Sequence, residues 1–531
     1  MKNELRDHLI KTICETNGIN LYDSIELAIQ GAQPGSHTSK ALIEFIEILR
    51  MYQSDQISIE SLLNHEVSDM LFYFLKNFPI PYKEEHIHLT GSLDADFVYP
   101  RLKKLLDGLN KQLYLKKIRS VYPDFKEATL ESIESFMTLK DDEKFDRYLE
   151  ILILPKLILT DRKTHEQAAY HMAKNLYDKF NVGFIRLKFT LSRLTTNSED
   201  KIPGINDLTP DHVVLGLYDG FKKFQKEVPV FNFILSPSFR KEADHYDAEK
   251  FSSKKDHIND QVESILRLID ENPELTNHLK DVDTVGNERE LYKKTHFQDM
   301  KQGLRRLHYK GFSIRSHHGE TWKTLRLGVQ AVDNSMNIWH INTLEHGVSL
   351  GINPNFYFHS LYLRVIKTNA KGQGLTKGSL DSNEVLEMDW SIHPEILEKI
   401  IKGEILNEEE RTKFVKVKFH TAREVEHYQH DVLNRMIHKN VSLISLPSSN
   451  KKLTGFLSDY KDHPFSWWEK KGVKLGIGTD NYITLDTNYI KELLIVLYTD
   501  ATTLKITKLL MIATGEQRRP YISQMLWKMR K

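Results

Sequence analysis

Apolar positions fall into two regimes along the chain. Up to about residue 80 they recur at helical spacing. Asp7 to Thr16 and Leu21 to Gln33 form short amphipathic stretches. Thr38-Ser39-Lys40 precedes a strongly periodic run from Ala41 to Tyr52, and Ser58 to Phe78 reads as a further helix stopped by Pro79 and Pro81. After Pro81 short β-rich runs alternate with longer helical ones. The predicted strands are Glu85 to Leu89, Val182 to Phe189, Pro229 to Leu235, Lys280 to Val285, Phe312 to Ser316, Asn342 to Glu345, Val441 to Leu446 and Val473 to Gly478. Stretches such as Asp211 to Lys226 and Gln261 to Asn272 supply helices between them. Eight strands alternating with helices predict a parallel α/β fold, and the count fits a closed (β/α)8 barrel, the TIM barrel.

This reading divides the chain into an N-terminal helical extension over 1–82 and a barrel over 83–531. The link between the sixth and seventh strands, Ser349 to Asn440, is too long for a simple crossover. It holds a Gly/Lys/Ser-rich loop (Thr368 to Asp381) and helical stretches at Pro394 to Leu406 and Ala422 to His438. Such an insertion has its own job, as a lid or an oligomer contact.

Composition narrows the function classes. A formal net charge of +1 gives no global attraction to nucleic acid or to an anionic membrane. Cys14 is the one cysteine, so the fold needs no oxidising compartment. The N-terminus carries mixed charge without an apolar run, and no stretch approaches the ~20 apolar residues of a membrane span. The expectation is a cytoplasmic protein acting on a small molecule, with homo-oligomerisation suggested by the added segments.

Candidate chemistry sits at the predicted strand ends. His86 and His88 are two apart on the first strand, so both imidazoles project to one face. With 24 histidines one such spacing is expected by chance, so the pair alone decides little. However, His317-His318-Gly319-Glu320 follows the fifth strand, Glu345-His346-Gly347 the sixth, and Gly478-Thr479-Asp480-Asn481 the eighth. In a barrel these ends converge on one mouth. Imidazole nitrogens and a carboxylate oxygen suit a divalent cation such as zinc, which makes bound water acidic.

His86-Ile87-His88-Leu89-Thr90-Gly91, His317-His318-Gly319-Glu320, His346-Gly347 and Thr479-Asp480-Asn481 resemble, in order, the four signature motifs of the adenosine deaminase family within the amidohydrolase superfamily. Ser448-Ser449-Asn450 with Leu453-Thr454-Gly455, and Val282 to Glu288, are similar to that family's seventh-strand and fourth-strand segments. The resemblance spans Lys83 to Leu497, excluding the insertion. It implies one metal ion, most simply Zn2+, on His86, His88, His317 and Asp480. It further implies Glu320 as proton donor to purine N1, His346 as the residue that orients and helps deprotonate the attacking water, and Gly286 as a backbone donor to N3. The activity implied is hydrolytic removal of the 6-amino group of a purine nucleoside or nucleotide.

Two positions depart from that family. Asn481 stands where a second aspartate donates to N7; an amide donates without needing a proton. Thr90 stands where nucleoside deaminases carry an aspartate against the 5′-hydroxyl. Losing that carboxylate removes a repulsion toward a 5′-phosphate, and Lys188, Arg193, Arg240 and Lys241 lie near neighbouring strand ends as candidate phosphate partners. Two rivals stand beside this reading. One is a binuclear amidohydrolase acting on another amine, amide or ester, although Lys280 to Gly286 offers no bridging lysine. The other is a barrel retained only for assembly, against which every expected ligand and Glu320 are present. Some bacterial members of the family act in phage defence, and the added segments leave room for such a role.

Overall fold

A computed structural model describes residues 2–141, 143, 145–191, 202, 204 and 207–530. Eight parallel strands follow one another around a single sheet in chain order: β1 (Tyr82–His88), β2 (Val182–Phe189), β3 (Asn232–Arg240), β4 (Asp281–Val285), β5 (Ser313–His318), β6 (Thr343–His346), β7 (Ser442–Ser445) and β8 (Leu475–Ile477). The circle closes between β1 and the residues after β8, where the N–H of His88 donates to Asp480 O (2.8 Å) and the N–H of Asp480 to His86 O (2.9 Å). The protein is a (β/α)8 barrel. Its closing hydrogen bonds join three residues singled out above as ligands.

All eight predicted strands are present. β3 alone runs well past its expected end, through Ser236-Pro237-Ser238 to Arg240. The proline is tolerated where β3 changes partner: pairing with β2 ends at Pro237 and pairing with β4 begins at Ser238.

Five helices precede β1: Lys2–Glu15, Leu21–Gly31, His37–Gln53, Glu60–Leu63 and Glu66–Lys76. The stretch expected as one helix over Ser58 to Phe78 is two. His65 is extended and its ring accepts from the N–H of Val67, which restarts the helix. The helix expected from Ala41 starts at His37, because Ser36 caps it by accepting from the N–H of Ser39. These helices share one apolar core with the barrel. Polar ties join them as well, including Tyr52 to Asp459 (2.8 Å) and Gln53 to the carbonyl of Tyr498 (2.6 Å).

Two crossovers are long. Between β6 and β7, four helices (Pro354–Asn369, Leu380–Glu387, Pro394–Lys402 and Glu408–His438) surround their own apolar cluster, with Trp322 and Leu325 of the barrel side packed into it. The longest of them is well specified by local chemistry. Asn407 and Glu410 form a reciprocal capping box, Glu408 to Glu410 fill the first turn, and Arg435 and His438 the last. The β1–β2 crossover is equally extended, an excursion the periodicity did not single out. Its helices Phe145–Ile151 and Ile153–Ile158 lie over the barrel mouth. Among the described residues, no helix is long and apolar enough to cross a membrane.

Candidate metal centre and active site

His86 and His88 lie at the C-terminal end of β1, His317 at that of β5, and Asp480 just beyond β8. The three histidine Nε2 atoms form a triangle with sides of 3.2 Å (His86–His88), 3.3 Å (His88–His317) and 3.1 Å (His317–His86). Asp480 Oδ1 stands 3.5 Å from His86 Nε2 and 3.3 Å from His88 Nε2. Four ligands held tetrahedrally at zinc–nitrogen distances are about 3.3 Å apart.

Proton placement supports the same conclusion. His86 Nδ1 lies 2.7 Å from Glu345 Oε2, and His317 Nδ1 lies 3.0 Å from Asp283 Oδ2. Both carboxylates stay ionised. Although burial pushes them up, Arg315 and Lys188 hold Glu345 down, and His317 and Lys188 hold Asp283 down. Each carboxylate therefore accepts from the Nδ1–H of its histidine, so that Nε2 is the nitrogen turned toward the centre. Burial also pushes His88 down to about 3, so it adds no proton. Nitrogens turned toward one centre, with the opposite ring nitrogen held by a carboxylate, are the arrangement of histidine metal ligands. The four residues fit a divalent ion.

Around them is a supporting layer to which motif reading assigned no role. Lys188, fully buried, donates to Asp283 Oδ2 (2.8 Å) and Glu345 Oε1 (2.9 Å), and Arg315 donates to the same Glu345 oxygen. Ser449 donates to Asp480 Oδ2 at 2.6 Å. His318 points the other way, as strand alternation requires; it bonds Ser316 and packs on Phe297 and Trp339.

Glu320 and His346 complete the floor of the mouth, with His346 Nε2 3.8 Å from Glu320 Oε2. Burial, reinforced by the charges of Asp480 and Glu288, raises Glu320 well above the usual carboxylate range, so it carries a proton. Burial drives His346 the other way and keeps it neutral. Its Nδ1 meets the Asn450 amide nitrogen at 2.9 Å, and Asn450 Oδ1 in turn meets His463 Nε2 at 3.1 Å. His346 (φ 66°) and Asp480 (φ 64°) both occupy the left-handed region, which costs a non-glycine residue about 1–3 kcal/mol. Strain at two site residues is carried by the packing around them.

These side chains open into a cavity of about 360 Å³, with Thr90, Gly286 and Asn481 on its walls. The helical excursion roofs it with Phe145, Tyr148, Leu149 and Leu152, one face of adjoining helical turns, and Lys156 continues that face. Asn481 is not a free donor. Its amide nitrogen contacts the Tyr148 hydroxyl and lies 3.2 Å from Asp480 Oδ1, while its oxygen packs against Gly91. Tyr148 also reaches Asp480 Oδ2 at 3.4 Å.

The basic residues considered for a phosphate are mostly committed elsewhere. Lys188 and Arg240 line the cavity but are ion-paired with Glu345 (2.9 Å) and Glu242 (2.6 Å), and Lys241 bonds the carbonyl of His317. Arg193 lies outside the described residues.

No family model matches the sequence, and no curated protein matches it. Solved structures do. A zinc-bound amidohydrolase from Burkholderia ambifaria is 11% identical, with a TM-score of 0.48 over 85% of this chain and 92% of that one. An Arabidopsis N6-mAMP deaminase is 13% identical, with a TM-score of 0.48 over 86% and 99%. The protein of an ADAL–IMP complex is 13% identical, with a TM-score of 0.49 over 86% and 98%. At these identities the likeness is one of fold.

Proposed function

We propose that this protein hydrolyses the 6-amino group of an adenine nucleoside or nucleotide and releases ammonia. One observation carries the reading. A carboxyl group kept protonated by burial, Glu320, stands beside a four-ligand cluster at the floor of a cavity sized for a purine and roofed by apolar side chains. An aromatic amine is a poor leaving group until its ring is protonated, and a neutral glutamic acid supplies that proton.

A divalent ion on His86, His88, His317 and Asp480, with zinc the best match to three imidazoles and one carboxylate, would supply a water acidic enough to attack at neutral pH. Glu320 gives its proton to N1, which makes C6 electrophilic. With Nδ1 accepting from Asn450, neutral His346 carries its proton on Nε2 and would orient the attacking oxygen as a donor rather than deprotonate it; of the water's two protons one would restore Glu320 and the other would leave with the amine as ammonia. Gly286 offers its backbone N–H at the N3 edge. Asn481 and Tyr148 line the N7 side together, and one of their donors would have to leave its present partner to reach N7. Phe145, Leu149 and Leu152 cover the base and exclude bulk water. Thr90 and Lys156 share the cavity with no carboxylate at position 90, which favours a 5′-phosphorylated substrate.

Ammonia release should be screened over adenosine, deoxyadenosine, AMP, dAMP, ATP and dATP. Turnover of at least one is expected, with a phosphorylated member preferred. No release from any of them by metal-loaded protein would refute the reading. A second reading has one observation in its favour: Glu320, His346 and Asp480 also bring ligand atoms within 4.8 Å of one another. An ion there would make the site binuclear and suit amide or ester hydrolysis, and counting bound metal separates the two.

A further inference from the structure

Glu288 belongs to the turn after β4, and the chemistry above gives it no role. It is 4% exposed, yet its carboxylate is fully engaged. Oε1 accepts from the N–H groups of Glu320 and Thr321, both at 2.8 Å, and Oε2 accepts from the N–H of Gly319 at 3.2 Å. Three consecutive backbone donors converge because the chain turns left-handed at Gly319 (φ 74°) straight after β5. Successive N–H groups in such a turn form a concavity that binds an anion, and here the anion is a side chain of the neighbouring strand end. Lys241, from the end of β3, stands 3.8 Å from Glu288 Oε2 and donates to the carbonyl of His317. Three successive strand ends are thus fastened around the turn that bears Glu320. A side chain at position 319 would press on Ser349 Oγ at 2.5 Å, so the turn has little alternative room.

We infer that Glu288 is a positioning residue: it holds the 319–321 turn and thereby aims the Glu320 carboxyl into the cavity, without touching substrate. The inference rests on the proposed role of Glu320. General acid catalysis depends on placement, and an error of about 1 Å can cost about 10²-fold in rate.

A double-mutant cycle on the metal-loaded protein tests it. Glu288→Ala should lower kcat by about 10²-fold while KM and metal content stay within about threefold. Glu288→Gln, which keeps an acceptor for Glu320 and Thr321 but presents an amide to Gly319, should fall between. In a Glu320→Gln background, Glu288→Ala should lower the residual rate by less than about threefold, because the group it positions is already disabled. Losses that multiply in the double variant would overturn the inference, as would an Ala variant as active as wild type. Hydrogen exchange provides a reading independent of activity. Amides 319–321 should exchange faster in Glu288→Ala while the other strand ends keep their protection, and unchanged exchange would also overturn it. If wild-type protein deaminates nothing, the deaminase reading falls, and the exchange experiment still decides whether Glu288 holds the turn.

Discussion

Nδ1 of His86 lies 2.7 Å from Oε2 of Glu345, and both side chains are wholly buried. The contact fixes which nitrogen of His86 bears the proton, and so which one faces the centre. It also ties the candidate ligand cluster to the Lys188–Asp283–Glu345–Arg315 network beneath it. Glu345→Gln would keep the shape but leave two buried cations short of a counter-charge. We expect roughly 10–100-fold weaker metal affinity, measured by competition with a chelator. Affinity equal to wild type would show that the network does not tune the ligands.

Glu320→Gln should lower turnover by roughly 10²–10⁴-fold. Metal content should be unchanged, since Glu320 lies outside the ligand tetrad. Elemental analysis beside steady-state kinetics checks both. Loss of the ion together with activity would make Glu320 a ligand instead of the acid.

Gly91→Ala should damage the proposed purine site from behind. A Cβ at 91 would stand 1.6 Å from Asn481 Oδ1, so the asparagine must move and take its contact with Tyr148 with it. A fall in kcat/KM of up to about 10²-fold is expected, with metal binding retained. Kinetics indistinguishable from wild type would remove Asn481 from substrate recognition.

The long β6–β7 insertion is joined to the barrel through a titratable contact. Glu384 Oε1 accepts from the N–H of Leu325 (2.7 Å) and from the Tyr357 hydroxyl (2.6 Å). Burial raises the Glu384 carboxyl from 4.5 to about 8. The folded protein therefore holds a proton there that the unfolded chain has released. Its contribution is full below pH 4.5 and fades as pH rises toward 8, at up to about 1.4 kcal/mol per pH unit. The melting temperature should drop across that window, and Glu384→Gln should flatten the dependence. An equally steep profile in the variant would assign it to other groups.

Much of this site was legible in the sequence because barrel geometry makes strand ends meet. His86 and His88 share a face by strand periodicity, and His317, Glu320, His346 and Asp480 each follow a recognisable β run. What surrounds them was not legible. Lys188 sits in an ordinary-looking strand and Asp283 in a segment whose resemblance gave it no role, and only closure of the barrel brings them under the ligands. Tyr148 reaches the site from a helix more than three hundred residues from Asp480 in the chain, with a periodicity like that of any packed amphipathic helix. Glu288 was visible within a motif, but its role depends on the left-handed turn at Gly319, which residue type alone does not specify. The basic residues near strand ends could not be sorted for a related reason. Adjacency to the mouth says nothing about whether a basic side chain is already paired with a carboxylate, as Lys188 and Arg240 are.

The most direct test is to strip the protein with a chelator and return zinc in steps, following bound metal and ammonia release from the best adenine substrate together. Activity should rise in proportion to zinc and level off at about one ion per chain, and an Asp480→Ala variant should neither retain the ion nor recover. Full activity in the stripped protein, or a plateau reached only at two ions per chain, would contradict a mononuclear deaminase.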